Sequence, residues 1–170
     1  GEQAKWIIWG RQALEEAEVT PEEIYRATPK VPRGWWQLVE DGRVTFNDVP
    51  SGGVPVFTDA AVRNRRAATA LAVVDLQGME IVYEESEELR ERCSVQTAEA
   101  RGLLRAIRSV TRFPGCDSFD IGTDSTIVLE SLRRANPRLH WDPDVRRALC
   151  DACEANDDLR INLRKASARR

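Results

Sequence analysis

Residues 54–62 read Val-Pro-Val-Phe-Thr-Asp-Ala-Ala-Val, a short apolar run that a single acid interrupts. Side chains alternate across a strand, so Phe57 and Asp59 are expected on the same face. A carboxylate buried in such a strand is costly unless it has a partner. No lysine or histidine lies nearby in the sequence to pair with it. The stretch therefore predicts a strand, and it indicates that Asp59 has a functional role and not a packing role.

The pattern downstream of this strand predicts a domain with the element order β-β-β-α-β-α-α-β. Turn residues at 63–65 and 77–78 separate three extended segments, which is typical of an antiparallel meander. Helix start and stop signals then delimit three helices, two of them following a fourth strand. The predicted strands are 54–62, 67–75, 79–85, 118–124 and 159–164, and the predicted helices are 95–111, 125–135 and 142–156.

The first fifty-three residues have a different character, rich in tryptophan and proline. They hold four of the five tryptophans, and helices are predicted at 5–18 and from the N-cap Thr20 onward. Pro29, Pro32 and Gly34 are then expected to break regular structure. This part is too small for a core of its own. We therefore predict a linker-like segment at 1–53, docking its aromatic side chains on a domain at 54–170 or on a neighbour.

Composition places the chain among ordinary globular proteins. Hydrophobic residues make up 42% and charged residues 31%. No apolar run approaches the ~20 residues that a membrane span needs, and the first residues lack a signal-peptide pattern. Cys150 and Cys153 form a C-x-x-C without the second pair that a zinc site needs, so we predict reduced helix residues and an intracellular protein. The net charge is −3, but residues 131–170 carry ten Lys+Arg against six Asp+Glu.

Two further acids occupy positions like that of Asp59. Glu99 lies in the first turn of its predicted helix, and its face continues with apolar side chains at Leu103, Ala106 and Val110. Asp124 ends the fourth predicted strand, where α/β proteins place their sites. Taken alone, Asp124 is compatible with a helix cap and Glu99 with a favourable helix dipole. Together with Asp59 they favour a site for a hard divalent cation, which prefers oxygen ligands.

The ordered set Thr58-Asp59-Ala60, Gln96-Thr97-Ala98-Glu99-Ala100 and Gly122-Thr123-Asp124-Ser125 resembles the RNase H family. That family carries an Asp on its first strand, a Glu on its first helix and an Asp at the end of its fourth strand. The closest similarity is to the RNase H domain of retrotransposon-type reverse transcriptases, and it covers residues 54–165. The resemblance implies an α/β, RNase H-like fold: a mixed five-stranded sheet with helices on both faces.

What the resemblance implies for function is hydrolysis of the RNA strand of RNA–DNA hybrids by two Mg²⁺ ions, with Mn²⁺ as an alternative. Asp59 would bridge the ions, Glu99 would complete one shell and Asp124 would hold the other ion. The expected partners are the hybrid and an adjoining polymerase domain of a reverse transcriptase, in cytoplasm or nucleus. The candidates for phosphate contacts are arginines of the basic C-terminal part, namely Arg133, Arg134, Arg138, Arg146 and Arg147.

The sequence departs from the family at one position. The family has a fourth acid, an Asp after the last strand, whereas residues 165–170 contain none, and Asp157 and Asp158 precede the strand. Two explanations remain open: the sequence stops short of this acid, or the domain works without it. A catalytically silent RNase H-like scaffold in a polymerase assembly is therefore the main alternative. Integrase-like or exonuclease chemistry is less favoured, because Asp59-Ala60-Ala61 stands where the exonucleases have Asp-x-Glu, and Glu154 is poorly motivated as the integrase ligand.

Overall fold

The structure, a computed structural model, describes residues 30–75, 77, 79–90 and 92–166. Every element predicted from residue 54 onward is present, with ends within a few residues of the expected ones. The strands are β1 Val44–Thr45, β2 Val54–Arg63, β3 Arg66–Asp75, β4 Glu80–Leu89, β5 Ser118–Thr123 and β6 Arg160–Lys165. The helices are α1 Trp35–Glu40, α2 Val95–Ser109, which continues as the 3-10 turn Val110–Arg112, α3 Thr126–Arg133 and α4 Asp142–Ala155.

The strands form one mixed sheet whose order is β1-β6-β5-β2-β3-β4. The predicted meander is confirmed, because β2, β3 and β4 pair antiparallel, while β5 pairs in parallel with β2 and β6 in parallel with β5. Asn64 and Arg65 make the turn between β2 and β3 with φ of 51° and 66°. Two consecutive positive φ angles are typical of the type I′ turn, whose twist matches that of a hairpin.

The hydrophobic core lies between one face of this sheet and a layer of helices. Burial alternates along β3, where Leu71 and Val73 face the core. From the other side α2 contributes Leu103 and Ile107, and both sets belong to one cluster of buried residues. The described helices contact one another within this single layer. On the opposite face of β2 to β4 the structure describes no helix, although helices on both faces were expected.

On the open face of the sheet, the stretch 47–53 is attached to β5 and β6, and the main attachment point is the buried carboxylate of Asp120. Asp120 of β5 is 3% exposed and accepts hydrogen bonds from the backbone N–H groups of Ser51 and Gly53, the Ser51 hydroxyl and the Asn162 amide. Burial raises the pKa of Asp120, whereas these hydrogen bonds lower it. The lowering outweighs the rise, so the pKa of Asp120 lies below the ordinary value. The charged form of Asp120 therefore ties this stretch to the sheet.

The part of residues 1–53 that is described contributes to the same core. Trp35 begins α1 and is 0% exposed, packing over the Arg146 guanidinium 5.2 Å from its ring centroid. The expected break around Gly34 is therefore followed at once by a helix, since Gly34 takes up a φ of 89° and Trp35 gains full burial. Val44 and Thr45 add a sixth strand beside β6. The helices predicted at 5–18 and after Thr20 lie outside the described residues.

The cysteines behave as ordinary packing residues. Cys116, Cys150 and Cys153 are free thiols, and Cys153 is buried on α4. Burial raises the pKa of both Cys150 and Cys153, which keeps these thiols protonated and unreactive at neutral pH. Within the described ranges no helix has the length and apolarity to span a bilayer.

Candidate metal centre

Asp59 lies in β2 on the open face of the sheet and is exposed. It pairs with Ala70 of β3, but the pairing of β2 with β5 has already ended at Phe57. The sheet therefore has a gap on the β5 side of Asp59. One of its oxygens, Oδ1, accepts a hydrogen bond of 2.9 Å from the N–H of Ala60. The expected cost of burying this acid is avoided, because the face that carries it is left uncovered.

Asp124 reaches the same edge from β5. Phe57 and Gly122 are the last partners in the parallel β2–β5 pairing. Two residues further along each chain come Asp59 and Asp124, so the two acids occupy equivalent positions at the carboxyl ends of neighbouring strands. Asp124 is exposed and follows the final strand residue. The cap of α3 is the next residue, Ser125, so the alternative in which Asp124 caps that helix does not apply.

Glu99 is carried by α2, which lies unusually close to β2. It is half-buried, and Gly102, one turn later, faces the strand. A Cβ added at Gly102 would lie 2.7 Å from Oγ1 of Thr58 and 3.5 Å from the carbonyl oxygen of Asp59. Contacts this short are available only to glycine. The absence of a side chain at Gly102 thus brings the amino-terminal half of α2, which carries Glu99, to the part of β2 that holds Asp59.

A buried hydrogen bond joins α2, which carries Glu99, to the segment that carries Asp124. Ser125 Oγ donates to Oε1 of Gln96 over 2.8 Å. Gln96 is one helical turn before Glu99, and Ser125 is the residue after Asp124. The three acids are therefore brought to one end of the fold by direct contacts between the segments that carry them.

The side chains themselves are not gathered into a compact ligand group. In the described part of the chain, no three His, Cys, Asp or Glu side chains are placed to hold a metal ion together. Asp59 lies on the open face of the sheet, whereas α2 with Glu99 covers the opposite face, so the acids approach the gap beside β5 from two sides. In chemistry the donor set fits a hard divalent cation, because all three are carboxylates, and two of them are open to solvent.

Comparison with solved structures assigns the architecture. RNase H1 from the archaeon Halobacterium salinarum is 24% identical with a TM-score of 0.51, over 69% of this chain and 87% of its own. LC11-RNase H1, isolated from compost by a metagenomic approach, is 12% identical with a TM-score of 0.54, over 68% and 85%. The chain has the RNase H fold. The predicted resemblance is confirmed at this level, and the low identities indicate a distant relationship.

The RNase H fold seen here also resembles that of a retroviral enzyme. The protease–reverse transcriptase of prototype foamy virus is 17% identical with a TM-score of 0.53, over 70% of this chain and 18% of the viral protein. No protein-family model matches the sequence, and no curated protein matches it. The assignment of the RNase H fold therefore rests on three-dimensional similarity and not on sequence similarity.

Four of the five arginines predicted to contact phosphate lie on the surface of this RNase H fold. Arg133, Arg134, Arg138 and Arg147 are exposed on α3, the following loop and α4. The prediction for Arg146 is wrong, because its side chain is 0% exposed. Its Nε lies 2.5 Å from Oδ1 of Asp142. Its Nη2 donates to the carbonyl oxygens of Ser131 and Arg134.

Sequence reasoning assigned no structural role to the residues that join the elements of the RNase H fold at the site, although three of them stand in the motifs that carry the resemblance. Gly102, Thr58, Gln96 and Ser125 carry no chemistry of their own, and each lies one turn or one residue from an acid. Their spacing relative to Glu99, Asp59 and Asp124 is visible in the sequence. Their contacts become apparent only when strand and helix are packed together.

Proposed function

We propose that this domain is a metal-dependent endonuclease that hydrolyses the RNA strand of RNA–DNA hybrids. One observation carries the proposal: Asp59, Glu99 and Asp124 come from the first strand of the meander, the following helix and the end of the next strand of an RNase H fold. Asp59 and Asp124 lie at the carboxyl ends of two adjacent parallel strands, and α2 carries Glu99 at the same end of the fold. One structural neighbour, LC11-RNase H1, was solved in complex with an RNA/DNA hybrid, at 13% identity and a TM-score of 0.50.

Asp59, Glu99 and Asp124 are the residues that would hold Mg²⁺ or Mn²⁺ in this site. When bound, such ions supply an activated water and stabilise the charge that develops on a phosphodiester. Asp59 and Asp124 are exposed, so a phosphate backbone has access to both. Half-burial restricts the conformations of the Glu99 side chain, which suits it to a fixed position in the site.

Hybrid recognition in this proposal depends on backbone contacts. Arg133 and Arg134 end α3, Arg138 lies in the loop after it and Arg147 lies on α4. Guanidinium groups bind phosphate by paired hydrogen bonds and do not read base sequence in doing so. An adjoining polymerase domain is part of the proposal, supported by the foamy virus neighbour, a protein named as a protease–reverse transcriptase.

The proposal is tested by cleavage of a labelled RNA–DNA hybrid in Mg²⁺ and in Mn²⁺. Single-stranded RNA and duplex DNA serve as comparison substrates, and Asp59→Asn serves as the inactive variant. Cutting confined to the RNA strand of the hybrid, dependent on metal and lost in Asp59→Asn, is the expected result. Cutting of duplex DNA would instead favour integrase-like or exonuclease chemistry.

A catalytically silent scaffold is the second candidate function. One observation favours it: the described carboxylates are not gathered into a ligand group. A chain extended beyond Arg170 distinguishes the two functions. Cleavage gained on extension supports the nuclease and shows a need for a further ligand, whereas no cleavage by either chain supports the scaffold.

A further inference from the structure

The hydrogen bond between Gln96 and Ser125 is enclosed on all sides. Gln96 is 7% exposed and Ser125 is 4% exposed, and their side chains meet at 2.8 Å. The two residues are far apart in sequence and belong to α2 and to the segment that starts α3. Replacing one member would leave a buried polar group without its partner, which costs about 1–3 kcal/mol. The bond is therefore a firm connection between these two segments.

The direction of this bond follows from the other contacts of Ser125. Its Oγ accepts a hydrogen bond of 3.2 Å from the N–H of Val128, which caps α3. Its own N–H donates to Oγ1 of Thr123 over 3.2 Å. With the capping bond occupying a lone pair, we assign the hydroxyl proton to Gln96. Ser125 is thus held by three hydrogen bonds, and Asp124 lies between Ser125 and the strand residue Thr123, to which Ser125 is also bonded.

On the α2 side, the geometry of the helix carries the constraint to Glu99. Residues three apart lie on the same face of a helix, so the side chains of Gln96 and Glu99 emerge next to each other. Gly102, three residues further along the same face, contacts β2 through Thr58. The amino-terminal half of α2 is consequently held at two points, by Ser125 on one side of Glu99 and by Thr58 on the other.

We propose that Gln96 and Ser125 form a positioning pair that sets the separation of Glu99 and Asp124 for metal binding. This inference rests on the proposed function, since it assigns the pair a role in the same site. Neither residue is required to touch metal or substrate. Groups that hold metal ligands in place commonly change metal affinity about 10–100-fold when they are removed.

The variants Gln96→Leu and Ser125→Gly each remove the bond in a different way. Gln96→Leu keeps a buried side chain of similar size and good helix propensity, but has no acceptor. Ser125→Gly loses the hydroxyl, and glycine at an N-cap costs only a few tenths of a kcal/mol relative to serine. Ser125→Thr retains both the cap and the donor. Ser109→Ala is the matched control, because it removes a buried hydroxyl bond, to the carbonyl of Ala106, at the far end of α2.

The readout is Mn²⁺ affinity measured by titration calorimetry, beside the free energy of unfolding of each variant. Gln96→Leu and Ser125→Gly should each weaken Mn²⁺ binding about tenfold. Ser125→Thr should retain most of the wild-type Mn²⁺ affinity, and Ser109→Ala should leave that affinity unchanged. In the double variant Gln96→Leu/Ser125→Gly, the losses of Mn²⁺ affinity should not add, because both substitutions remove the same hydrogen bond. The changes in Mn²⁺ affinity are expected under conditions in which every variant is fully folded, so they are independent of any loss in unfolding free energy.

Two outcomes overturn the inference, and they are distinguishable. If Gln96→Leu and Ser125→Gly lower stability as Ser109→Ala does and leave Mn²⁺ affinity intact, the pair is purely structural while the proposed function stands. If the wild-type domain binds no Mn²⁺ and cuts no hybrid, the proposed function fails and the positioning role fails with it.

Discussion

Asp120 is a residue whose charge state determines how the stretch 47–53 is attached. Its carboxylate accepts four hydrogen bonds, from two backbone N–H groups, the Ser51 hydroxyl and Asn162. Asp120→Asn should therefore cost about 2 kcal/mol of unfolding free energy at neutral pH, as hydrogen bonds to charged groups do. Chemical denaturation at pH 7 measures this loss.

The same residue gives the domain a defined pH dependence. Because the folded pKa of Asp120 lies below its ordinary value, the stabilisation is complete above about pH 4, the unfolded pKa of an aspartate. It is lost as the pH falls through the lower folded value. The wild type should thus lose more stability on acidification than Asp120→Asn does. Parallel curves for the two proteins would contradict this assignment.

Gly102 is the residue that permits the close approach of α2 to β2. Alanine is the better helix former, but its Cβ would lie 2.7 Å from Oγ1 of Thr58, so Gly102→Ala should destabilise by about 1–3 kcal/mol. Thr58 Oγ1 is buried and has no hydrogen-bond partner among the described residues. The double variant Gly102→Ala/Thr58→Ala removes the clash, and thermal unfolding should show it to be more stable than the sum of the single effects.

Sequence reasoning at this scale identified which elements carry the acids but not their surroundings, and the role of the acids in a metal site stays a prediction. The alternation in residues 54–62 indicated the face of Asp59, and the helical spacing indicated that Glu99 begins a buried stripe, as the structure shows. The burial expected for Asp59 was wrong, because its face is left open. Asp120 was not identified, since its partners Ser51 and Asn162 come from distant parts of the chain.

At the scale of elements, α1, α3 and α4 are joined by one buried ion pair. Arg146 and Asp142 of α4 contact each other, Ser131 of α3 donates to Asp142 over 2.5 Å, and Trp35 of α1 covers the guanidinium. Burial raises the pKa of Asp142, whereas Arg146 and Ser131 oppose that rise. The charged form of Asp142 is therefore tolerated in the core only while the guanidinium of Arg146 is beside it.

Arg146→Met should destabilise the domain by about 3–5 kcal/mol, because it leaves a buried carboxylate without its cation. Equilibrium denaturation measures the loss. Asp142→Asn in the Arg146→Met background removes the stranded charge and should recover part of it. If Arg146→Met proved neutral in stability but weakened hybrid binding, the original prediction of a phosphate contact at Arg146 would be restored.

Element boundaries from Val54 onward were predictable because periodicity, caps and turn residues agreed there. The helix α1 was not, since six residues give too short a pattern to recognise, and tertiary burial of Trp35 supplies its stability. Arg146 was misassigned for a related reason. An arginine is exposed by default, and only its spacing of four from Asp142 hinted at a pair.

At the scale of the whole molecule, charge is distributed unevenly around a chain of net charge −3. Half of the residues of the edge strand β4 are glutamates, whereas Arg133 and Arg134 are exposed at the end of α3, the helix that packs beside β6. A polyanion is therefore expected to approach from the arginine side. The acidic edge also discourages pairing with other strands, a common property of exposed sheet edges.

Binding of a non-cleavable hybrid should weaken with salt, with a slope that reports the number of phosphate contacts. Arg133→Ala and Arg134→Ala should each reduce the slope by about 0.9. Arg160→Ala is the matched control, because Arg160 is exposed at the opposite, amino end of β6 and should leave the slope unchanged. Equal effects of all three substitutions in fluorescence anisotropy titrations would show that the arginines do not form a specific track.

The most direct test of the central claim is the rate of metal-dependent hybrid cleavage in three single variants, Asp59→Asn, Glu99→Gln and Asp124→Asn. Asp151→Asn is the control, since it removes an exposed acid from α4 without approaching the site. The account predicts that each of the three loses at least about a hundredfold in rate, of the order expected for a group acting directly in catalysis, while Asp151→Asn cuts at the wild-type rate. Hybrid cleavage that survives in any of the three at the control rate would contradict the assignment of these acids to one metal centre.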